Sequence, residues 1–528
     1  MLNGRDLDAD AVSRIAEGTM APAVHPAALE AMEHTRCAAR KLAAEGARVY
    51  GRSTGVGAHR GTVVEERDGD GHDLRLLRSH AGGVGEPLPA RQVRAMMAVR
   101  INQLLAGGSG LRPEIAEAIA AALRAGVHPA VTEYGAVGTG DLTALAQLGL
   151  ALFGQGVWKG STADAGKPVP EALRIERGDA LALLSSSALT LGQSALVSHD
   201  LGGLLRAAHV VAALSLYAID GSLEPYAPDV HRAHPHPAIG RSAAYVRRLL
   251  GVPERRPAGV PEQPLPPSTR VQDPFGFRCF PQVHGPATEA WAGLERVLSI
   301  DLNSATENPL IGWDEVTGAA VAHHHGGFFA APLTLALDQL CLATLGTARL
   351  SAARLSGLCR PELTGLRSFL ADGASAGSGV MILEYSASAA LAEVQACATP
   401  AALGHVVLAH GLEEAASFAT QAARKALRLT EAYRLVLGCE LVAAVRALRQ
   451  RGTAPDPAAP AGLAYARAAA VLDPAMADRP LTDDVAAATG LLAEFAEFAE
   501  FAELGGPDET DETDETDETD AFAKLYAI

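Results

Sequence analysis

The amino-acid sequence predicts a mainly α-helical protein. Hydrophobic residues make up 48% of its 528 residues but aromatic residues only 5%, so the apolar side chains are mostly those of Ala, Leu and Val. Alanine and leucine favour helices, whereas strands are enriched in β-branched and aromatic residues. Beyond Asp179, apolar runs of helical length follow one another. These runs cover residues 181–219, 287–301, 328–358, 378–399, 401–449 and 461–472.

The first part of the chain predicts shorter helices. Either Asp8 or Asp10 can cap a helix over residues 11–17, because a carboxylate accepts hydrogen bonds from the first free N–H groups of a helix. Residues 26–45 carry helical spacing. Two more helices are expected between residues 90 and 126, separated by a glycine-rich turn.

Two glycine-rich loops interrupt these helices. Residues 50–73 form a long polar connection, and so long a connection is uncommon unless it has a function such as an active-site lid. A second loop, Gly135–Gly140, leads into the apolar helix of residues 145–153, with Asp141 where an N-cap belongs. The free N–H groups and the helix dipole at this point would face any bound group.

Composition divides the chain into three predicted regions. Residues 1–200 hold the lid and the glycine-dense loop, and residues 201–504 form a central helical bundle. Residues 505–528 form an acidic tail of Asp-Glu-Thr repeats, which carries nine carboxylates between positions 508 and 520 and so about half of the net charge of −17. The tail is predicted to be disordered because its Asp-Glu-Thr repeats have no apolar side chains to bury.

Charge and cysteine pattern exclude several functions. No stripe of Lys and Arg could follow a nucleic-acid backbone, and no run of 18 apolar residues could span a membrane. The six cysteines include no C-x-x-C pair, and the N-terminus has no basic-then-apolar signal, so a cytoplasmic protein is expected. No metal is expected at the adjacent His323, His324 and His325, which point in different directions. The glycines of residues 135–140 do not follow the dinucleotide-binding order, so no nucleotide cofactor is expected either.

Five longer motifs occur along the chain. They are Tyr50–Gly57 (YGRSTGVG), Ser79–Pro87 (SHAGGVGEP), Gly135–Leu142 (GAVGTGDL), Val271–Gln282 (VQDPFGFRCFPQ) and Leu302–Leu310 (LNSATENPL). In sequence and in order they resemble motifs of the aromatic amino acid ammonia-lyases, the family of the histidine and phenylalanine ammonia-lyases. The resemblance implies a long antiparallel helical bundle of the fumarase/aspartase-like type, assembled as a homotetramer whose pockets are built from three subunits.

The resemblance also implies roles for individual positions. Tyr50 aligns with the lid tyrosine that acts as the general base. Arg278 aligns with the arginine that binds the substrate carboxylate, for which a planar guanidinium is suited. Gln272 and Asn308 align with polar residues of the substrate pocket.

Three further positions bear on the substrate side chain. His80 aligns with the selectivity position, and its pairing with Ser79 is typical of the histidine-specific branch. Glu413 aligns with the acidic residue that this branch places near the imidazole. Phe329 aligns with an aromatic residue of the pocket. The resemblance therefore implies a histidine-like or other aromatic amino acid as the substrate.

Departures from the family cluster at the reactive centre. In the family an inner Ala-Ser-Gly cyclises into the electrophile methylideneimidazolone (MIO), but this loop is one residue shorter and reads Gly138-Thr139-Gly140. Ser185 stands in place of an asparagine, Phe275 of a tyrosine and Phe328 of an asparagine. MIO could form from Gly138-Thr139-Gly140, but a dehydrated threonine would add a methyl group to the electrophilic carbon. We expect most of the protein to keep an unmodified loop.

Three functions remain open on the sequence alone. The first is an MIO ammonia-lyase or aminomutase that converts an aromatic α-amino acid, in the lyase case to an acrylate. The second is an enzyme of the same fold without MIO, which uses Tyr50 and Arg278 for another elimination, addition or cyclisation on a carboxylate. The third is a non-catalytic homologue, against which the polar pocket residues argue.

Overall fold

The computed structural model of the protein describes residues 1–65, 71–160, 170–252 and 270–504. Within these residues the chain is mainly helical, which confirms the predicted fold class. The helices are α1 (Ala9–Glu17), α2 (Pro26–Ala44), α3 (Gly71–His80), α4 (Ala90–Leu105), α5 (Pro113–Arg124), α6 (Leu142–Leu152), α7 (Asp179–Leu184), α8 (Ala188–Ala218), α9 (Pro228–Ala233), α10 (Pro237–Leu249), α11 (Phe275–Arg278), α12 (Phe280–Asp301), α13 (Ala331–Leu358), α14 (Pro361–Thr364), α15 (Met381–Cys397), α16 (Ala419–Arg451), α17 (Pro460–Val471) and α18 (Thr482–Leu504).

The strands are short and form two-stranded antiparallel pairs. They are β1 (Val84–Pro87) with β3 (Thr132–Tyr134), β2 (His128–Pro129) with β4 (Trp158–Lys159), and β5 (Leu310–Trp313) with β6 (Ala320–His323). Short 3₁₀ turns lie at Gly57–His59, Glu224–Tyr226, Ser368–Leu370, Ala401–Leu403 and Ala409–Gly411. The predicted acidic tail at 505–528 and most of the proline-dense segment 252–268 lie outside the described residues.

Long helices of both directions build the bundle. Hydrogen bonds between Thr190 and Thr420 and between Ser215 and Glu440 show that α8 and α16 run in the same direction. α13 runs in the same direction, because Thr334 in its first turn contacts Ser417, two residues before α16, and its Arg354 contacts Glu440. α4, α12 and α15 pack against these three helices. The contacts of Ser186 with Gln103 and of Gln193 with Gln92 show that α4 runs antiparallel to α8.

Two of the predicted helical runs are interrupted. The run at 181–219 breaks at Ser185–Ser187, between α7 and α8. The run at 401–449 does not begin as one helix: α16 starts only at Ala419, after a loop in which Ala409, His410 and Phe418 all have positive φ angles. Apolar composition alone suggested one helix there, whereas this left-handed backbone cannot continue an α-helix. Both interruptions lie beside the same cavity.

The first two of the regions proposed from composition share one core. The boundary between residues 200 and 201 falls inside α8, and one hydrophobic core contains buried residues from Leu2 to Phe495. The stretch Asp179–Ala218 is long and apolar enough to cross a membrane, but its most apolar window is wholly buried in the protein. This stretch is therefore a core segment of the bundle.

A fully buried polar cluster lies far along the same helices. Glu440 of α16 accepts hydrogen bonds from Arg354 Nε (2.6 Å) and Nη2 (2.9 Å) and from two serine hydroxyls. The His209 and His284 rings stand edge to face nearby, with centroids 4.4 Å apart. Burial disfavours their charged forms and lowers the pKa of His209 to about 4 and that of His284 well below its usual value.

Candidate active site

A cavity of about 890 Å³ opens between the lid loop and the end of the bundle. It brings together residues from seven separate parts of the sequence. The predicted site residues that line it are Tyr50, His80, Thr139, Gly140, Ser185, Asn308, Phe329 and Glu413, together with Phe328. Gly138 lies directly behind Thr139 and is buried. Most of the predicted site is therefore assembled within one chain.

Four helices begin around the floor of this cavity, namely α6, α8, α13 and α16. The hydrogen bonds that hold their first residues together join Asp141 N to Ser186 O (2.7 Å), Phe418 N to Val137 O (2.9 Å) and Thr334 Oγ1 to Ser417 O (2.8 Å). Each helix N-terminus carries partial positive charge. The floor therefore favours negatively charged groups, such as a carboxylate or a phenolate, above it.

Asp141 acts differently from the sequence expectation. It occupies the N-cap position of α6, but its carboxylate forms no cap bond there. Instead it accepts hydrogen bonds from Thr190 N (2.7 Å) and Thr190 Oγ1 (2.9 Å), in the first turn of α8. Burial raises the pKa of Asp141 to about 6, because the charged form is desolvated. Asp141 thus ties the glycine-dense loop to the start of the neighbouring helix.

Tyr50 is held on the lid by two hydrogen bonds. Its phenolic oxygen accepts the Gly57 N–H at 2.8 Å, and its own backbone N–H donates to His324 Nε2 at 3.2 Å. An accepted N–H bond leaves the phenolic proton free to move and stabilises negative charge on the oxygen. Because His324 Nε2 accepts, its proton resides on Nδ1. Sequence reasoning considered His324 only as a possible metal ligand and did not predict this contact with the lid.

His80 and Glu413 face the same cavity with unused hydrogen-bonding capacity. His80 Nδ1 lies 2.9 Å from the Leu76 carbonyl oxygen, which can only accept, so Nδ1 carries a proton and Nε2 is left for a ligand. The backbone of Glu413 bridges to Leu408, whereas its half-buried carboxylate forms no hydrogen bond or ion pair with the described residues. A ligand carrying hydrogen-bond donors or positive charge would find a partner here.

The glycine-dense loop is a poor match for the precursor of MIO. Gly138 has a φ of +85°, and its carbonyl accepts a hydrogen bond from Ser417 Oγ at 2.7 Å. A Cβ atom at Gly138 would lie 2.3 Å from Ser417 Oγ and 2.7 Å from Phe418 N, so there is no room for the alanine that the family carries. The central residue, Thr139, offers a secondary rather than a primary alcohol. The residues present therefore do not fit the ring.

A buried ion pair shapes the wall beside this loop. Arg100 Nη1 lies 2.8 Å from Glu307 Oε1, and Arg100 also donates to the carbonyls of α7, including Leu183 O at 3.2 Å. These bonds fix the end of α7, after which Ser185 Oγ accepts the Asn308 N–H at 2.9 Å. Sequence reasoning did not assign this role to Arg100. A charged residue within an apolar helix was the signal for this supporting role.

Three predicted site residues lie away from the cavity. Phe275 and Arg278 are the first and last residues of α11, and Gln272 lies just before this helix, next to the buried cluster around Arg354. The ring of Phe275 is 65% exposed, and the Arg278 guanidinium lies 4.5 Å from its centroid. Asp273, which could have paired with Arg278, pairs with Arg270 instead. One folded chain does not bring these residues to the pocket.

Two histidines of the run 323–325 form hydrogen bonds with backbone groups. His324 accepts from the lid, and His325 uses Nδ1 to accept the Gly327 N–H and Nε2 to contact the Glu307 carbonyl. Across the described parts of the chain, no group of three or more His, Cys, Asp or Glu side chains is arranged to hold a metal ion. His324 and His325 instead anchor the lid and the Asn308 segment.

Known proteins are similar to this chain both in sequence and in fold. The model of the aromatic amino acid lyase family matches residues 7–470. The chain is 33% identical over 480 residues to the histidine ammonia-lyase of Geobacillus thermodenitrificans (strain NG80-2), covering 89% of this chain and 92% of the relative. It is 34% identical over 508 residues to that of Anaeromyxobacter sp. (strain K), covering 94% and 98% respectively.

A solved structure extends this likeness to three dimensions. The crystal structure of histidine ammonia-lyase from Trypanosoma cruzi matches with a TM-score of 0.85 at 26% identity and covers 95% of both chains. The helical bundle and the lid therefore occur together with the family's sequence motifs. On these grounds the chain belongs to the aromatic amino acid lyase family and is an ammonia-lyase-like enzyme, a carbon–nitrogen lyase.

Proposed function

We propose that the protein eliminates ammonia from a histidine-like α-amino acid and releases the corresponding acrylate. The observation that carries this proposal is the convergence of Tyr50, His80 and Glu413 on one cavity above four helix N-termini. His80 Nε2 and the Glu413 carboxylate can bind the two nitrogens of an imidazole, one by accepting and one by ion pairing. The lid tyrosine supplies a group that can take a proton.

The chemical step uses the Tyr50 oxygen as the base. Tyr50 in its phenolate form removes a proton from Cβ of the substrate, and the electrons of that C–H bond form the Cα=Cβ double bond. The Cα–N bond breaks, and its electron pair leaves with the nitrogen as ammonia from the α-ammonium group. The proton remains on Tyr50 Oη. The N–H of Gly57 stabilises the phenolate before the step.

We propose that Gly138-Thr139-Gly140 stays unmodified in this enzyme. The family depends on MIO, but Gly138 is packed against Ser417 without room for a side chain, and Thr139 replaces the serine. The amine would then leave without covalent activation. Thr139 remains a wall residue of the cavity, where its hydroxyl can contact the substrate.

We further propose a homotetramer in which Gln272, Phe275 and Arg278 complete the pocket of a neighbouring copy. Two observations support it. Val271 is 95% exposed and Phe275 65% exposed, although their motif is one of the five that resemble the family. Apolar residues such as Leu335 on α13 and Tyr385 on α15, 61% and 66% exposed, leave a large apolar surface on the bundle. We also propose a cytoplasmic location, because the six free cysteines are compatible with a reducing compartment.

A second candidate substrate is an amino acid whose nitrogen is quaternary. Phe328 and Phe329 line the cavity, and aromatic faces attract ligand cations. An apolar wall lowers the pKa of a primary ammonium and so favours the neutral amine, which is a poor leaving group, whereas a quaternary ammonium keeps its charge. The same Tyr50-driven step would then release a tertiary amine.

One assay separates these possibilities. The protein is incubated with histidine, histidine trimethylbetaine, tyrosine and phenylalanine, and the ultraviolet absorbance of a conjugated acrylate is followed while ammonia or trimethylamine is quantified. Acrylate with ammonia from histidine supports the main proposal, and acrylate with trimethylamine supports the second. Absence of acrylate from all four substrates, with a correctly folded tetramer, would contradict both.

A further inference from the structure

A second cavity, of about 420 Å³, lies on the other side of the lid turn from the substrate cavity. It is bounded by α2, the turn before α5, the segment before α7 and both ends of the lid loop. Five guanidinium groups line it, those of Arg36, Arg40, Arg52, Arg112 and Arg177. Only two carboxylates, Glu176 and Asp179, line it with them. Positive charge therefore predominates on its surface.

The two carboxylates are shared between the innermost arginines. Arg36 lies 3.0 Å from Glu176, and Arg112 lies 3.5 Å from Glu176 and 3.1 Å from Asp179. At the rim, Arg36 Nη1 also lies 3.2 Å from Glu33 Oε2 and 3.9 Å from Glu114 Oε2. The Arg112 side chain is nine-tenths buried, yet its Nε has no hydrogen-bond partner among the residues that the structure describes.

Two further arginines contribute positive charge to the cavity. Arg40 and Arg177 are exposed at the mouth of the cavity, and neither forms a hydrogen bond or an ion pair with another described residue. Arg52 enters from the lid side and donates to Ser109 O at 2.7 Å. It lies against Gly178, where a Cβ atom would approach its Nη1 to 2.5 Å. Because Gly178 has no side chain, the Arg52 guanidinium can occupy this space.

We propose that this cavity binds a small oxyanion with two or more negative charges. Guanidinium groups bind tetrahedral and planar oxyanions through paired N–H donors, and partial burial strengthens such bonds relative to water. Arg40 and Arg177, whose guanidinium groups have no partner among the described residues, can close over the anion from the mouth of the cavity. The site is separate from the substrate cavity, and its existence does not depend on the reaction proposed above.

The wall between the two cavities is the lid turn itself. Tyr50 lines the substrate cavity, whereas Val49, Arg52 and Ser53 line the arginine-rich one. The turn is closed by Val49 N donating to Ser53 Oγ at 2.8 Å and by Ser53 N donating to Val49 O at 3.0 Å. An anion bound against this wall would restrain the turn that carries Tyr50.

Calorimetric titration with inorganic phosphate tests the site on the full-length protein, with chloride at matched ionic strength as the blank. We expect one saturable phosphate site per chain. The double variant Arg40→Ala/Arg177→Ala should weaken it by at least about tenfold, because two charge-assisted contacts are lost. The matched control Arg5→Ala/Arg241→Ala removes the same charge from exposed positions elsewhere and should leave the affinity within about twofold.

Hydrogen exchange of peptides covering residues 49–65 provides a second readout. Phosphate should slow their exchange in the wild type and not in Arg40→Ala/Arg177→Ala. Absence of saturable binding, or equal weakening in the two double variants, would overturn the site. Saturable binding with unchanged lid exchange would overturn its coupling to the lid.

Discussion

Polar side chains at the two ends of the long parallel helices differ in solvent exposure and in hydrogen bonding. At their N-terminal end, Tyr50, His80 and Glu413 line an open cavity and keep hydrogen-bonding capacity free. Glu440 lies about 30 Å farther along α16, at 1.5 Å per residue, and is completely buried with Arg354 as its partner. An unpaired polar group is costly only where water cannot reach it. The first set can therefore serve a ligand, whereas the second belongs to the fold.

Tyr50→Phe should have the largest effect and should be confined to the cavity end. Removing the base should lower kcat by about 10²–10⁴-fold, while substrate binding and the free energy of unfolding stay near those of the wild type. Steady-state kinetics measure kcat, a substrate-analogue titration measures binding, and urea unfolding measures the free energy of unfolding. The control is Tyr465→Phe, which removes a hydroxyl on α17, away from the cavity. Equal kcat values for Tyr50→Phe and the wild type would remove Tyr50 from the mechanism.

Glu440→Gln should show the opposite behaviour. It leaves the Arg354 charge buried and uncompensated, so the free energy of unfolding should fall by about 3–5 kcal/mol. Glu431→Gln is the matched control on the same helix, since Glu431 is exposed and its pairing with Arg434 should contribute less than about 1 kcal/mol. Urea unfolding of both variants measures the difference. Similar values for the two would show that burial does not distinguish the two ends.

Arg278→Met tests whether a residue beside the buried end nevertheless serves the pocket. If it binds the substrate carboxylate of a neighbouring copy, affinity should fall about ten- to a hundredfold with little change in stability. A substrate-analogue titration and urea unfolding separate the two effects. Arg241→Met serves as the control for loss of an exposed arginine. A loss of stability with unchanged affinity would assign Arg278 to the fold instead.

His209 should make the buried end sensitive to acid. Its pKa is lowered from an ordinary 6.5 to about 4, so between these pH values the unfolded chain binds a proton that the folded protein does not. Stability is lost as the pH falls, by about 2 kcal/mol from this residue between pH 7 and pH 5. His209→Phe should reduce the loss by that amount, which urea unfolding at both pH values can measure. An equally large loss in the variant would contradict this origin.

The cavity end itself titrates with the opposite sign. The pKa of Asp141 is raised from 3.8 to about 6, so the folded protein binds its proton more tightly than the unfolded chain. Its contribution to stability is therefore greater below the unfolded pKa and declines as the pH rises through about 6. The wild type and His209→Phe both contain Asp141, so its effect is the same in both proteins. The difference between their losses of stability from pH 7 to pH 5 therefore reports His209 alone.

Local patterns predicted the helical fold and the two glycine-rich loops, whereas the other pocket residues were proposed from the resemblance to the family. The lid of Tyr50–Gly57 and the loop before α6 could be found because glycine spacing and helical periodicity are properties of neighbouring residues. The contact between Tyr50 and His324 joins residues 274 positions apart, and no local pattern contains it. Asp141 could be placed at a helix start, but not assigned to Thr190 of another helix. The start of α16 was missed because residues 401–418 are apolar yet fold as a loop.

The proposal that rests most heavily on the cavity end is an unmodified Gly138-Thr139-Gly140 loop in an active enzyme. Intact-mass spectrometry of a preparation with measured turnover tests it directly, with fragmentation of the peptide that contains residues 135–142. We predict the mass of the unmodified chain, with Thr139 intact in the fragment spectrum. A chain lighter by two water molecules, with the loss located at residues 138–140, would show that the ring forms and would contradict the proposal.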